Sequence, residues 1–248
     1  MIKFIKVALS IFVFIVVCLA VFYFAANESK PELKIETANE ADELAHKMLR
    51  SINIEAWDST HFVQWSFKSM HDYVWDKEGN NVQVKWNENE VRLNLDDRSQ
   101  FIAFSNSEKI NDSEQALELS IKAWEYFCND SFWLNAPAKV FDSGTKRSIV
   151  IDEGKKALMV TYESGGATPG DSYLWFLDGN FMPYKYKMWV SIIPIGGTES
   201  TWANWQELPS GAMISTQHEM AVLKILIKNL KSGQSLEDLG LDKDLFRF

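Results

Sequence analysis

Cysteine is nearly absent from this chain. Its 248 residues contain two, Cys18 and Cys128, and Cys18 falls within an apolar N-terminal run, so no internal disulfide framework is expected. Cys128 has no activating partner next to it in sequence and reads as a small buried hydrophobe on a helix. Histidine is scarce too: His46, His61, His71 and His218 are all there are. His218-Glu219 begins like a zinc-protease helix, but Val222 stands where the second histidine is required. No P-loop, dinucleotide fingerprint, calcium loop or paired-cysteine zinc site occurs. Ser164-Gly165-Gly166 falls short of a nucleophile elbow because Tyr162 occupies the first glycine position. Basic residues are outnumbered 25 to 34, and the net charge of −9 becomes −11 once Lys3 and Lys6 are set aside. That balance excludes electrostatic binding of nucleic acid or anionic head groups. No residue earns a catalytic assignment, and no cofactor or resident metal is expected.

What the chain does have is an uncharged apolar run over residues 7–26, preceded by Lys3 and Lys6. About 20 apolar residues suffice to cross a bilayer as a helix, and the two lysines predict a cytoplasmic N-terminus. A cleaved signal needs small residues at −3 and −1; cleavage after Ala26 or Ala25 would put Phe24 or Tyr23 at −3. A lipoprotein signal at Cys18 would be preceded by Val17. The run therefore reads as an uncleaved signal anchor over residues 1–26. Residues 27–36, with Pro31, read as a linker. Residues 37–248 read as one exported domain, placed in the periplasm or outside the cell and touching the membrane through residues 7–26.

Within that domain the pattern is α+β. Thr37 and Glu40 predict the start of a helix that runs to about Ser51. Alternating apolar residues then predict antiparallel strands: Val63, Trp65 and Phe67; residues 72–76; Val82, Val84 and Trp86; Val91, Leu93 and Leu95. A second helix is predicted from Asp112, with Leu117, Ile121, Trp124 and Cys128 as its apolar stripe and Asn129-Asp130 as its end. Residues 131–137 then read as an aromatic loop. Hairpins follow around residues 152–155 and 178–180, Leu223, Ile225 and Ile227 read as a strand, and residues 235–246 as a short helix. The sum is a large curved antiparallel sheet, an open or unclosed barrel, with helices on one face and one transmembrane helix before it.

Ten tryptophans lie between Trp57 and Trp205. Trp65, Phe67, Trp75, Trp86, Trp175, Tyr184, Tyr186 and Trp189 fall in predicted strands, and a concave face holding several of them would wall an apolar pocket. The run containing Gly165, Gly166, Pro169, Gly170 and Asp171 reads as a loop at the pocket mouth or as a long hairpin connection; the same two readings apply to Pro194-Ile195-Gly196-Gly197.

The order of leading helix, Trp- and Val-rich meander, inserted helix and further long strands resembles the periplasmic lipoprotein carriers of the Lol type, over residues 37 to 230 and in pattern only. The aromatic stretches Asp171-Ser-Tyr-Leu-Trp175 and Met188-Trp-Val190 also look like those of uncharacterised exported bacterial proteins. The carrier resemblance implies an unclosed barrel covered by helices that holds acyl chains; it carries over no functional residue. The expected function is non-catalytic binding of a lipid or lipoprotein acyl chain. Two alternatives stand beside it. One is a carbohydrate-binding or protein-interaction module. The other is a metal-dependent hydrolase in which His61 and His71 converge with Asp58 or Asp72.

Overall fold

The structure, a computed structural model, describes residues 11–12, 14–15, 27–33, 37–165 and 168–248. The expected anchor over residues 1–26 lies outside these apart from four helical residues, and among the described residues no helix is long and apolar enough to cross a membrane. Two helices lead the domain, α1 (Ala38–Ser51) and the short α2 (Ile54–Asp58). A meander follows: β1 (Phe62–Phe67), β2 (His71–Asp76), β3 (Asn81–Trp86), β4 (Asn89–Asn94), β5 (Phe101–Ser105) and β6 (Glu108–Lys109). Helix α3 (Ser113–Asn135) comes next. Then come β7 (Thr145–Asp152), β8 (Lys155–Tyr162), β9 (Ser172–Leu177), β10 (Pro183–Trp189), β11 (Thr198–Thr201), β12 (Ala203–Glu207), β13 (Met213–Met220) and β14 (Leu223–Gly233).

The strands pair antiparallel as nine in the order β12-β13-β14-β1-β2-β3-β4-β5-β6 and five in the order β11-β10-β9-β8-β7. One residue joins the two sets. Thr201 ends β11, opposite Lys185 of β10, and Ala203 begins β12, opposite Gln217 of β13. Between them Trp202 donates its backbone N–H to the Tyr184 carbonyl at 2.8 Å and buries its side chain. The strands thus form one curled surface from β7 to β6 whose two edges do not pair with each other, an unclosed barrel as expected.

Alternation puts Val63, Trp65, Phe67, Tyr73, Val82, Val84, Trp86, Val91 and Leu93 on the concave face, with Leu158, Val160, Trp175, Tyr186 and Met188 from the other strands, all in one buried cluster. The convex face carries two smaller clusters. Val74 is covered by Leu236, Leu239 and Leu245 of the C-terminal segment. Ala157, Met159, Leu174 and Phe176 are flanked by Leu33 and Trp189. The C-terminal segment is not the short helix expected over residues 235–246. It makes a single tight turn, Glu237–Leu239, because Gly240 adopts φ 73° and Asp238 binds the backbone N–H groups of Gln234 and Ser235.

Helix α3 departs from expectation twice. Asp112 caps it as expected, accepting from the N–H groups of Glu114 and Gln115, but it continues past Asn129-Asp130 to Asn135, so Phe132 and Trp133 are helical. The Asp130 carboxylate, which would otherwise compete for the backbone, is engaged by His71 and Tyr73 of β2, and the first proline is Pro137. The buried stripe is also not the expected one: Leu117 and Ile121 are 49% and 53% exposed, while Ala116, Ser120, Ala123, Phe127, Asp130 and Leu134 face the sheet. The concave wall is already filled with large rings, so the first half of the helix approaches it through its small residues. Volume, not apolarity alone, sets the rotation.

Trp202→Ala empties the join between the two strand sets. It is expected to lower the unfolding free energy by about 3–5 kcal/mol, read from urea denaturation.

Candidate functional site

The hollow of the unclosed barrel is where the aromatic residues meet. In its first half, Trp65 stacks on Tyr73 with ring centres 4.6 Å apart. Phe127 of α3 enters beside them, 5.2 Å from Trp75 and 6.4 Å from Trp65, and Tyr126 meets Trp86 edge-on at 5.6 Å. In the second half, Trp175 lies 4.9 Å from Tyr186 and 5.1 Å from Trp202. Trp133 of α3 completes that group at 5.9 Å from Tyr186 and 5.3 Å from His218. Phe132 packs on the same half against Tyr173 at 4.6 Å. Helix α3 supplies Phe127, Phe132 and Trp133 to the hollow, while the α1–α2 segment buries Met48, Ile52 and Trp57 in the same cluster, Trp57 lying 6.0 Å from Trp75.

The same helix is fastened to the sheet by a polar latch. Asp130, almost fully buried, accepts from the Tyr73 hydroxyl at 2.6 Å, and His71 Nδ1 lies 2.7 Å from the same oxygen. Its other oxygen accepts from Asn129 Nδ2 at 2.7 Å. Burial first, and then the Asp130 charge, push the Tyr73 phenol far above its ordinary range, so it stays a donor. His71 is sandwiched against Tyr126, ring centres 4.0 Å apart. At the far end of the hollow His218 is fully buried, its Nδ1 3.3 Å from the Thr201 carbonyl, and burial holds its pKa down at about 4. Burial likewise pushes the Cys128 thiol up to about 12, which leaves it an inert side chain of α3.

Several polar atoms enclosed here make no hydrogen bond within the protein: the indole N–H groups of Trp65, Trp75 and Trp175, and both side-chain atoms of Asn135 at the end of α3. Each such group costs roughly 1–3 kcal/mol. An acceptor-bearing guest in the hollow would recover part of that.

Of the eight aromatic residues singled out from the sequence, Trp65, Phe67, Trp75, Trp86, Trp175 and Tyr186 belong to the concave cluster. Tyr184 and Trp189 lie on the other side. Tyr184 is 37% exposed, beside Phe176 of the convex cluster, and the Trp189 indole donates to the Glu28 carbonyl at 2.9 Å. In the loop of residues 163–171, Gly165 and Gly170 have positive φ, Pro169 is exposed, and Gly166 lies outside the described residues. Asp171 ties the loop down, accepting from the Ser191 N–H at 2.9 Å and the Thr168 hydroxyl at 2.5 Å. The loop leaves the sheet at Tyr162, whose ring meets Phe132 of α3 at 5.8 Å.

His61 and His71 do not come together. His61 precedes β1 and pairs with Glu78 at 3.3 Å, whereas His71 opens β2 opposite Phe67, at the other end of the same hairpin. Six residues of strand, about 20 Å, separate them. Asp72 binds Ser66 on the opposite face. Among the described residues no group of three metal-ligating side chains forms, so the metal-hydrolase alternative loses its geometry. A recess of about 370 Å³ on the convex face has a mixed lining, with Gln64, Asp72, Gln83 and Asn229 beside Val74 and Leu241, and lies apart from the aromatic hollow. Sequence reasoning missed Asp130, Tyr73, Phe127, Trp133 and His218 as parts of the site. The available signal was an aspartate set among Phe127, Phe132 and Trp133 at helical spacing.

These features define an unclosed antiparallel barrel whose apolar hollow is filled by the latched α3 together with the buried faces of α1 and α2. No family model matches the chain, and no curated protein matches it. Among solved structures, the chain is similar to a DUF1329 family protein from Desulfovibrio piger, at 11% identity with a TM-score of 0.43, covering 85% of this chain and 97% of that one. It is also similar to an outer membrane lipoprotein-sorting protein domain from Vibrio parahaemolyticus, at 10% identity with a TM-score of 0.38, covering 82% of this chain and all of that one. At these scores the likeness is one of loose chain path, and the chemistry has to be argued from the hollow itself.

Two measurements check the site. Asp130→Ala removes the shared acceptor of Tyr73 and should cost about 1.5–3 kcal/mol of stability, seen as a lower urea midpoint. Unfolded His218 takes up a proton below its ordinary value of 6.5, while the folded one stays neutral down to about 4. The unfolded state then binds more protons, so stability falls as pH drops from about 6.5 to about 4, by about 3 kcal/mol in all. His218→Phe should flatten a plot of unfolding free energy against pH in that window.

Proposed function

We propose that this protein is a membrane-anchored exported domain that binds an apolar ligand, a lipid or a lipoprotein acyl chain, in the hollow of its unclosed barrel, without catalysis. The anchor is residues 7–26, with the N-terminus cytoplasmic and the domain in the periplasm or outside the cell. The observation that supports the binding reading is the aromatic-walled hollow into which α3 inserts Phe127 and Trp133, beside the Met48, Ile52 and Trp57 that the α1–α2 segment buries there. Helix α3 is then a cover. When it lifts, the Asp130 latch opens and the aromatic walls exchange ring-on-ring contacts for contacts with the chain, whose own burial offsets part of the apolar area that α3 uncovers. The free indole N–H groups of Trp65, Trp75 and Trp175 suit the ester or amide carbonyls at the head of such a chain. The loop of residues 163–171, next to the C-terminal half of α3, sits where a chain would enter.

A tethered domain does not ferry cargo across a compartment; it hands a lipid on locally or senses one. A protein-interaction role is the second reading, favoured by Leu117 and Ile121 exposed on the outer face of α3. A sugar platform needs exposed ring faces, and Trp65, Trp86 and Trp175 are buried.

The test is native mass spectrometry of residues 27–248, which hold all three apolar clusters, purified without detergent. A discrete added mass that extracts into organic solvent as a lipid is expected. A clean mass that stays clean after incubation with membrane phospholipids would contradict the binding reading and favour the protein-interaction one.

A further inference from the structure

Residues 27–33, expected as a linker, lie against the convex side of β9 and β10, and they lead straight from the apolar run. The Glu28 N–H donates to the Gly196 carbonyl at 3.0 Å, and the Gly196 N–H donates to Asn27 Oδ1 at 2.8 Å. Trp189 Nε1 holds the Glu28 carbonyl, and Lys187, only 3% exposed, pairs with the Glu28 carboxylate at 3.1 Å and with Asp152 at 3.0 Å. The glycines make this contact possible. A Cβ on Gly196 would lie 2.5 Å from the Glu28 carbonyl oxygen, and one on Gly197, whose φ is +76°, would lie 2.7 Å from Glu28 Cβ.

Residue 28 is two positions past the end of the apolar run, about 7 Å of extended chain at most. The interfacial zone of a bilayer is roughly 5–8 Å deep on each side. The loop between β10 and β11 that grips Glu28 must therefore sit at the surface of the membrane that residues 7–26 enter. Its composition suits that place. Residues 188–198 carry no charge and include Ile192, Ile193 and Ile195, Ile192 is 69% exposed, and Trp189, an interfacial residue type, flanks it. In a domain of net charge −11 this is a stretch that anionic lipid does not repel.

Resting on the anchor reading above, we propose that the β10–β11 loop, residues 190–197, is a second membrane contact. It inserts Ile192 into the outer leaflet of the membrane that holds the anchor, and with the Glu28–Lys187–Asp152 pairs it fixes the orientation of the barrel on the bilayer. The occupant of this apolar loop is phospholipid.

The test uses the full chain reconstituted in phosphatidylethanolamine and phosphatidylglycerol vesicles, with Cys18 and Cys128 replaced by alanine and one environment-sensitive fluorophore attached at Ile192→Cys or, as control, at Lys109→Cys on β6. Flotation with the vesicles and resistance to carbonate extraction report the anchor separately. The expected result is a blue-shifted emission at position 192, quenched by bromine-labelled lipid several-fold more strongly than at position 109. A chain that floats while both positions remain in water keeps the anchor and overturns the second contact. A blue shift that follows protein density and escapes lipid quenching assigns the loop to a second copy of the chain and also overturns it. A chain that does not float removes the anchor and the proposal together.

Discussion

A sheet that curls through some thirteen strand positions without closing leaves a deep apolar concavity, and the alternation of its strands fills that side with Val, Trp and Tyr. The face cannot meet water, because the area is far larger than a monomer exposes without a partner. In a closed barrel the far wall would supply the missing contacts. Here the edges at β6 and β7 stay apart, and α3 crosses the opening while α1 and α2 pack into the same cluster. Its length, its small residues toward the wall, its two inserted rings and its single buried carboxylate all follow from that requirement.

The latch and the free indole groups pull in opposite directions. Asp130 satisfies two donors from β2 and none of its oxygens is left idle, so it holds the helix in one register on the sheet. The indoles of Trp65, Trp75 and Trp175 and the amide of Asn135 go without partners in the same enclosure. A core selected only for stability would place phenylalanine or leucine there. Locally unfavourable groups gathered in one hollow are what a binding cavity in its covered state would contain.

Much of the sheet was legible in the sequence because period-2 alternation and turn chemistry are local: the meander from β1 to β4 and the hairpins of β7–β8 and β9–β10 appear where expected. The features that were not legible depend on contacts far apart in the chain. Asn129-Asp130 looks like a helix stop until His71 and Tyr73, 59 and 57 residues away, take up the carboxylate. The grouping of Tyr184 with Tyr186 fails because a register shift between Pro183 and Lys185 turns Tyr184 outward. The change of partners at Trp202 has no local signature. Gly196 and Gly197, read as a pocket mouth or a hairpin connection, have a different purpose, since they receive Glu28 from 168 residues earlier. For the site, the sequence pointed to six of the concave aromatic residues but could not tell that their rings would be met by Phe127 and Trp133 from the cover.

The central claim is that α3 is a cover over a ligand hollow and not simply the middle of a core. Hydrogen exchange of residues 27–248, measured by mass spectrometry with and without a lysophospholipid, tests it directly. The account predicts that amides of α3 exchange through a local opening well below the global unfolding free energy, and that lipid changes their protection while β2, β9 and β10 stay protected. Exchange of α3 only through global unfolding, unmoved by lipid, would contradict it.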